Sequence, residues 1–417
     1  MRKKSAILLL GLIVVLSGWW IMRDRSIAQP EEGVLDVWAT WGEGSDHLQT
    51  ILDRYSQLSG IPVKVTTHVR SGDLLSSLTA TKVPDIVILS NVDPLESYFT
   101  QGFVEPLDGW FEDADINLED FYSAPLEQCK SMDGIYLCLP WGSDVDALFW
   151  NKDLFEAAGL DPERAPQTME ELYEYSKKLT IRNEKGKLSQ VGFIPDLPHS
   201  HTNLYIRMFG GISHDVTEAE LNATAQPAID AENWQQQFDN LYTTDDLADF
   251  VRSFTPYMTS SHPIYTGKRM SCQQCHRATP VRNNKTPDVG FYEGRVAMMI
   301  DSQWQVSLIA RSTDLPLMNY GVAPVPPSSA HPEMAKATVV QGPVLFIPAS
   351  TVDKDEAVRL LAWMTSPEIL AEAADTFYML PVSQTAAQDA NFQENPALKL
   401  FIELMTSPNT KNNISTQ

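Results

Sequence analysis

Hydrophobic positions near the start of the chain predict an alternation of strands and helices. Strand-like runs occupy Val34–Trp38, Ile61–Thr66 and Asp85–Leu89, and the last is almost entirely apolar, as in a buried parallel strand. Between the first two runs, Ser45 can cap a helix. The apolar residues of that helix recur with the helical period at Leu48, Ile51, Leu52 and Tyr55. With a shorter helix around Leu74–Leu78, this order predicts an α/β layered fold.

Helix start and stop signals continue in the second half of the chain. Thr168 and Glu171 have the spacing of a capping box ahead of an amphipathic helix. A second helix is predicted over Lys354–Thr365, where Ser366-Pro367 would end it. The last helix is predicted over Ala397–Met405, and the polar residues 407–417 are expected to be frayed.

Length and charge limit the kinds of protein this can be. A chain of 417 residues exceeds the size at which a single core stops growing, so two lobes are expected. The 43% of hydrophobic residues are enough for a packed core and argue against disorder. A net charge of -23, spread along the chain, repels phosphate backbones and excludes nucleic acid as an expected partner.

The N-terminus has the pattern of an export signal. Arg2, Lys3 and Lys4 precede an apolar run over residues 6–22, which predicts a signal peptide or a membrane anchor within residues 1–28. Cleavage after Ala28 fits the small residues there, whereas the charged residues 23–25 oppose it. Both alternatives place the rest of the chain in the periplasm or on the outer face of the cytoplasmic membrane.

Cys129 and Cys138 flank a predicted β-hairpin. Asp133-Gly134 between them is a typical two-residue turn, and counting outward from it pairs residue 132 with 135 and Cys129 with Cys138. The cysteines would then form a non-hydrogen-bonded pair, where Cα atoms approach closely enough for a disulfide. In an exported protein we expect this disulfide to form.

Cys272, Cys275 and His276 form the motif CQQCH. This spacing is that of covalent haem c attachment, with the two thiols on the haem and the histidine on the iron. The alternatives are a local disulfide between Cys272 and Cys275, which we favour, a metal site with few ligands, or free thiols. No dedicated metal site is predicted elsewhere.

Four stretches, in order along the chain, resemble the bacterial extracellular solute-binding proteins of the maltose-binding type (family 1). The first is LPWGSD at residues 139–144, running into NKDLFEAAGL at residues 151–160. The second is FYEGRVAMMI at residues 291–300, followed by Trp304. The others are YGVAPVP at residues 320–326 with Gly342–Pro348, and residues 357–367 followed by Leu380-Pro381-Val382. The resemblance covers roughly residues 34–383.

The resemblance implies the two-lobed α/β fold of type II periplasmic binding proteins, with hinge strands and a ligand cleft between the lobes. Lobe 1 would comprise residues 34–138 and about 345–384. Lobe 2 would comprise about 139–343 and 391–417, with a cysteine-containing insertion at about 253–288. The hinge crossings would lie near residues 138–141, 341–346 and 383–391.

A carbohydrate ligand needs aromatic platforms and hydroxyl-binding side chains. Trp38 and Trp41 flank the end of the first predicted strand, where an open α/β sheet meets its ligand crevice. Trp41 is the better candidate, since Trp38 could equally be core. Glu43, in the same loop, could accept a sugar hydroxyl or simply be solvated. Asn91 follows the buried strand at the same edge.

Further candidates come from the resemblance. Trp141 and Asp144 lie just past the first hinge crossing, at a position that faces the cleft in the family. Trp304 matches an aromatic residue that follows the AMMI strand. Gln341 introduces a side chain where the family frequently has a glycine, and Tyr378 precedes Leu380-Pro381. Packing remains the alternative for each of them.

The resemblance implies an extracytoplasmic solute-binding protein, expected to be a monomer, that delivers a small molecule to the membrane permease of an ABC importer. Carbohydrate is the expected ligand, and no cofactor is required. The chain contains no nucleophile elbow, zinc-protease motif or phosphate loop, so no catalytic residue is predicted. The alternatives are a glycan-acting enzyme, a redox or haem-bearing protein based on Cys272, Cys275 and His276, and a ligand-sensing subunit of a membrane receptor.

Overall fold

The computed structural model describes residues 33–41, 45–79, 83–195, 201–211, 218–253, 287–311 and 318–412. The predicted signal segment, Glu43, and the motif of Cys272, Cys275 and His276 lie outside these ranges. Within them, no helix is both long and apolar enough to cross a membrane.

Twelve strands occur in the described ranges. They are β1 (Leu35–Ala39), β2 (Val63–Thr66), β3 (Ile86–Leu89), β4 (Leu139–Pro140), β5 (Asp144–Asn151), β6 (Ile181–Arg182), β7 (Leu188–Gln190), β8 (Met298–Ser302), β9 (Tyr320–Ala323), β10 (Val339–Gln341), β11 (Val344–Phe346) and β12 (Lys411–Asn412).

The same ranges contain fifteen α-helices. They are α1 (Ser45–Ser59), α2 (Ser71–Leu78), α3 (Leu95–Thr100), α4 (Ser123–Glu127), α5 (Lys152–Ala157), α6 (Met169–Leu179), α7 (Thr202–Met208), α8 (Glu218–Gln236), α9 (Thr244–Arg252), α10 (Pro287–Tyr292), α11 (Trp304–Arg311), α12 (Lys354–Met364), α13 (Pro367–Phe377), α14 (Ala390–Glu394) and α15 (Pro396–Met405).

The strands form two open sheets, each the centre of one lobe. The first has the order β2-β1-β3-β11-β4, in which β1, β2 and β3 are parallel and β11 runs antiparallel to both of its neighbours. The second has the order β12-β10-β5-β8, with β9 also paired to β5. Strands β6 and β7 form a separate two-stranded sheet. The expected two-lobed α/β architecture is confirmed.

Alternating side chains place a core on each face of the first sheet. Val37 packs with α1 and with the C-terminal helices α12 and α13 on one face. Trp38 packs on the opposite face with Val87 and Phe346, and only 3% of its surface is exposed. Of the two alternatives for Trp38, the structure therefore shows core packing.

The helices and strands that local signals predicted are present in the structure. Helix α1 buries all four of the periodic apolar residues named above. At α6, the hydroxyl of Thr168 accepts a hydrogen bond from the Glu171 amide, but the Glu171 carboxylate accepts from the amide of Gln167 instead of closing the capping box. The expectation that residues 407–417 are frayed is wrong for Lys411–Asn412, because β12 pairs with β10 through tertiary contacts that no local pattern reports.

The cysteine hairpin has a different register from the one predicted. The amide of Ser131 donates to Ile135 O, and Lys130 pairs with Tyr136, so the loop contains three residues instead of two. The cause is Gly134, whose left-handed φ of 81° adds a third loop residue after the turn. The structure nevertheless joins Cys129 and Cys138 by a disulfide with a Cα–Cα distance of 5.0 Å.

Three connecting segments pass between the two cores side by side. Residues 141–145 lead from the first core to β5, residues 340–344 lead from β10 to β11, and residues 379–380 join Met379 of the first core to Leu380 of the second. The amide of Trp141 donates to Pro343 O at 2.9 Å, and Ser143 and Leu380 exchange two backbone hydrogen bonds. We refer to these segments as the hinge.

Two glycines allow the hinge segments to approach this closely. Gly342 has a φ of 155°, and a Cβ atom there would lie 2.4 Å from Gly142 O. A Cβ atom on Gly142 would lie 2.5 Å from the Met379 sulfur. At Gly342 the obstacle is backbone, so a side chain would force the segments apart, whereas at Gly142 the side chain of Met379 would have to move.

We expect Gly342→Ala to lower the free energy of unfolding by roughly 1–3 kcal/mol, because the hinge backbone must move to accept the methyl group. Thermal unfolding measures this loss, and small-angle scattering of the ligand-free protein should show a changed lobe arrangement. Gly72→Ala is the matched control, since no described atom lies within 4 Å of that Cβ position and Gly72 lies in α2. Unchanged unfolding of Gly342→Ala would contradict this account of the hinge.

Candidate ligand-binding site

Three aromatic rings meet beside the hinge, and we call them the aromatic group. Trp41 follows β1, Trp141 follows β4, and Phe377 ends α13. The ring of Trp141 lies 5.9 Å from that of Trp41 and 5.4 Å from that of Phe377, centroid to centroid, with tilted planes. The carboxyl end of β1 and the start of the hinge bring these side chains together, as expected for the edge of an open α/β sheet where ligands bind.

The three rings differ in their exposure. Trp141 is fully buried, whereas Trp41 and Phe377 are half-buried and leave part of their rings accessible. The indole N–H of Trp141 has no hydrogen-bond acceptor among the described residues. Trp41 and Phe377 therefore have ring surface available for stacking on a ligand. Trp141 packs against both of them.

Phe377 was missed in the sequence. The signal lay in the adjacent aromatic residues Phe377 and Tyr378 before Leu380-Pro381, of which only the second was chosen. Tyr378 adopts a left-handed φ of 59° and ends α13. This turn directs the chain into the hinge while Phe377, one residue earlier, still packs on the first core.

A polar group lies next to the rings and consists of Asp144, Gln303, Gln341 and Tyr378. Asp144 begins β5 and lies opposite Gln341 of β10. The amide Nε2 of Gln303 donates to Asp144 Oδ1 at 2.6 Å and to the carbonyl of Tyr378 at 3.1 Å. Two predicted site residues, Asp144 and Tyr378, are thus connected through a glutamine that the sequence did not single out.

The carboxyl of Asp144 has an unusual affinity for protons. Burial raises its pKa from 3.8 to about 6, the hydrogen bond from Gln303 acts in the opposite direction, and the neighbouring charge of Asp146 raises the pKa further. Asp146 in turn accepts a hydrogen bond from Ser302 at 2.7 Å and lies 3.7 Å from His201. A carboxyl group that is half-buried and raised in pKa is typical of a functional site.

The remaining predicted residues lie in different surroundings. Trp304 is half-buried and begins α11, directly after Gln303. Asn91 follows β3, where its side-chain oxygen accepts a hydrogen bond from the Asp93 amide at 3.2 Å and so shapes its own loop. Among the described residues, no group of three or more His, Cys, Asp or Glu side chains could hold a metal ion.

Comparison with known proteins places the chain in a family. A family model described as bacterial extracellular solute-binding protein matches residues 50–400. The chain belongs to this family. The resemblance drawn from the sequence is confirmed, and the family's proteins are described as extracellular.

Curated relatives are named as binding proteins. The maltotriose-binding protein of Pyrococcus abyssi is 21% identical over 327 residues, which are 78% of this chain and 60% of that protein. The sn-glycerol-3-phosphate-binding periplasmic protein UgpB of Salmonella typhimurium is 38% identical over 85 residues, covering 20% of this chain and 19% of that protein. The matches thus span less than two thirds of the length of these relatives.

Solved structures share the fold over nearly the whole chain. CpMnBP1 with mannotriose bound has a TM-score of 0.73 at 24% identity, with 92% of this chain and 91% of that chain covered. UgpB from Mycobacterium tuberculosis in complex with glycerophosphocholine has a TM-score of 0.65 at 20% identity, covering 92% and 88%.

The raised pKa of Asp144 predicts how stability depends on pH. Because its pKa is about 6 in the folded protein and near 3.8 unfolded, the folded state binds the proton more tightly, and stability rises as pH falls through 6. Between about pH 7.5 and pH 5 this gain amounts to roughly 1 kcal/mol.

Chemical denaturation of the wild type and Asp144→Asn at both pH values measures this gain. The asparagine keeps an acceptor for Gln303 but cannot ionise, so the variant should lack the gain and be the more stable protein at the higher pH. Asp113→Asn, which removes an exposed carboxylate, serves as the control and should keep the wild-type gain. Equal pH dependence in wild type and Asp144→Asn would show that Asp144 ionises normally.

Proposed function

We propose that this protein captures a carbohydrate between its two lobes and delivers it to an ABC importer. Its family consists of extracellular solute-binding proteins. The relatives named for maltotriose and the neighbour with bound mannotriose support an oligosaccharide as the ligand. Binding would use the side chains of the chain itself and no cofactor, and it would involve no catalysis.

The observation that carries this proposal is the combination of the aromatic group and the polar group at one place. Trp41 and Phe377 offer half-buried ring faces against which the apolar face of a sugar can stack. Asp144 and Gln341 lie opposite each other within the hinge, with groups that accept hydrogen bonds from hydroxyls or donate hydrogen bonds to them. Stacking surfaces beside a few directed polar groups are typical of small-molecule sites.

The charge of the site favours a neutral ligand over a phosphate ester. The described residues that we assign to the site include one carboxylate, Asp144, and no lysine or arginine. An anionic ligand would meet Asp144 without a compensating cation in a partly desolvated cleft, which costs free energy. The glycerol phosphate named for the UgpB relatives is therefore the less favoured ligand class.

Lobe closure around the ligand is the proposed mechanism. The hinge joins the lobes through three adjacent segments, an arrangement that permits rotation with little change inside either core. Closure would bring Trp304 and Asp144 of the second lobe towards Trp41 and Phe377 of the first. The closed form, a monomer, would then dock on the membrane permease.

Export through residues 1–28 is part of the proposal. Whether that segment is removed or kept as an anchor, the binding lobes would act outside the cytoplasm. For Cys272 and Cys275 we retain the prediction of a local disulfide, with covalent haem c at these cysteines and His276 as the alternative.

Ligand screening tests the proposed function. Residues 29–417 are mixed with manno- and malto-oligosaccharides, monosaccharides, polyols, amino acids, small peptides and glycerol 3-phosphate, and thermal unfolding is followed. A ligand at about 100 times its dissociation constant should add about 2.7 kcal/mol of stability, which is a shift of several degrees. Stabilisation by glycerol 3-phosphate alone would contradict the carbohydrate assignment.

Two substitutions then test the site. Trp41→Ala and Phe377→Ala should each weaken sugar binding by roughly fivefold or more, since each removes a stacking surface worth about 1 kcal/mol. Isothermal titration measures the affinities. Trp110→Ala is the matched control, because Trp110 is also a half-buried ring on the first core but lies outside the aromatic group. An equal loss in all three variants would mean that general destabilisation is the cause.

A further inference from the structure

The side chain of Gln303 has its orientation fixed by three hydrogen bonds. Nε2 donates to Asp144 Oδ1 and to the carbonyl of Tyr378, while Oε1 accepts from the amide of Val145 at 3.1 Å. Only 1% of Gln303 is exposed. A flipped amide would face two acceptors with its oxygen, so the observed orientation is the one that satisfies all partners.

These partners belong to different lobes. Gln303 follows β8, and Val145 lies in β5 of the same sheet, so this end of the network is part of the second core. Tyr378 lies between Phe377 and Met379, which both pack on the first core, although its helix α13 also places Ala374 in the second. The bond from Gln303 to the Tyr378 carbonyl therefore spans the two lobes, beside the hinge.

Both partners belong to the proposed ligand site or directly adjoin a residue of it. Asp144 supplies the carboxylate of the site, and Phe377, the residue before Tyr378, supplies a ring. The left-handed φ of Tyr378 is costly for a residue with a side chain and persists only where its surroundings hold it. The bond from Gln303 to the Tyr378 carbonyl is one of the contacts that hold this turn.

We propose that Gln303 is a positioning residue that links the carboxylate of Asp144 to the arrangement of the lobes. One amide group fixes the direction of Asp144 Oδ1 in the second lobe and holds the turn that carries Phe377 in the first. Ligand capture by Asp144 and closure onto Phe377 are then coupled through Gln303. This inference deepens the proposed function and rests on it for the ligand-binding readout only.

The first test needs no ligand. In protein labelled at the aspartate carboxyl carbons, NMR titration gives the midpoint for Asp144, identified by its absence in Asp144→Asn. Gln303→Leu should raise this midpoint, because a hydrogen bond that favours the ionised form is lost. The other charged groups nearby, Asp146 on the same strand and His201 beside Asp146, are present in both proteins. An unchanged midpoint would overturn the proposal.

The second test measures the lobes. Distances between spin labels placed one on each lobe should become longer or more widely distributed in ligand-free Gln303→Leu than in the wild type. The control is Gln305→Leu, which removes a buried glutamine in the adjacent α11 that bonds to Asp301 and Tyr292. Gln305→Leu should lose stability without moving either readout, and equal changes in both variants would overturn the proposal.

Gln303→Glu keeps nearly the same side-chain shape, and its effect on ligand affinity should depend on pH. At neutral pH its carboxylate faces two acceptors, and affinity for the ligand should fall by roughly 10- to 100-fold. Protonation at lower pH restores one O–H donor, so part of the loss should be recovered relative to the wild type at the same pH. Loss without recovery would indicate a merely structural role and overturn the proposal. Should Gln303→Leu fail to fold, Gln303→Met, which also lacks the amide, carries the titration and distance measurements instead.

The outcomes separate this inference from the proposed function. If no carbohydrate binds but Gln303→Leu shifts the Asp144 midpoint and the lobe distances, the assigned ligand is wrong and the role of Gln303 stands. If a carbohydrate binds and neither readout moves, the proposed function stands and the role of Gln303 is refuted.

Discussion

Backbone hydrogen bonds among the three hinge segments are the constraint on which both lobes and the site depend. Ser143 is fully buried, so its amide and carbonyl must find partners inside the protein, and Leu380 supplies both. Gly342 permits the close approach that places Pro343 O within reach of the Trp141 amide. Trp141 and Asp144 lie on either side of these hydrogen-bonded residues. The positions of these two candidate site residues therefore depend on how the hinge segments contact each other.

The first segment of the hinge is held firmly at one end. Cys138, which directly precedes β4, is bonded to Cys129 in the core that contains Trp38 and Phe346. Strand β4 is also paired to β11 within the first sheet. The first hinge segment is therefore fixed to the first lobe up to Pro140, and the residues after it are held by the backbone hydrogen bonds to Pro343 and Leu380.

Sequence reasoning recovered what local patterns encode. The apolar period of α1 and the buried run of β3 were sufficient to predict these two elements. The signature around NKDLFEAAGL was sufficient to predict the family and, with it, the two-lobed class. The hairpin register failed because the left-handed Gly134 adds a loop residue, and its neighbours alone cannot distinguish a two-residue loop from a three-residue one. The C-terminal strand β12 failed because its partner, β10, lies about 70 residues earlier in the chain.

The candidate site was predicted only in part, because local patterns do not report contacts between distant segments of the chain. Trp41, Trp141, Asp144, Gln341 and Tyr378 were named from strand ends and from the resemblance, and the structure brings them to one region. Gln303 could not be found, since the bond that defines its role joins residues 159 positions apart. The burial of Trp141 beneath Trp41 and Phe377 likewise depends on how two distant segments pack, and no periodicity reports it.

The chemistry of the site follows from the incomplete solvation of Asp144. A carboxylate can accept about four hydrogen bonds, and Gln303 supplies one while burial removes water from the others. A ligand rich in hydroxyls can replace that water, whereas an apolar ligand cannot and an anion would add repulsion. Since the raised pKa of Asp144 reflects this deficit, the group that lowers stability at neutral pH would, under the proposed function, favour a neutral polyhydroxylated ligand. Under the same proposal, the aromatic rings would add affinity through contact area, and the carboxylate would select among ligands.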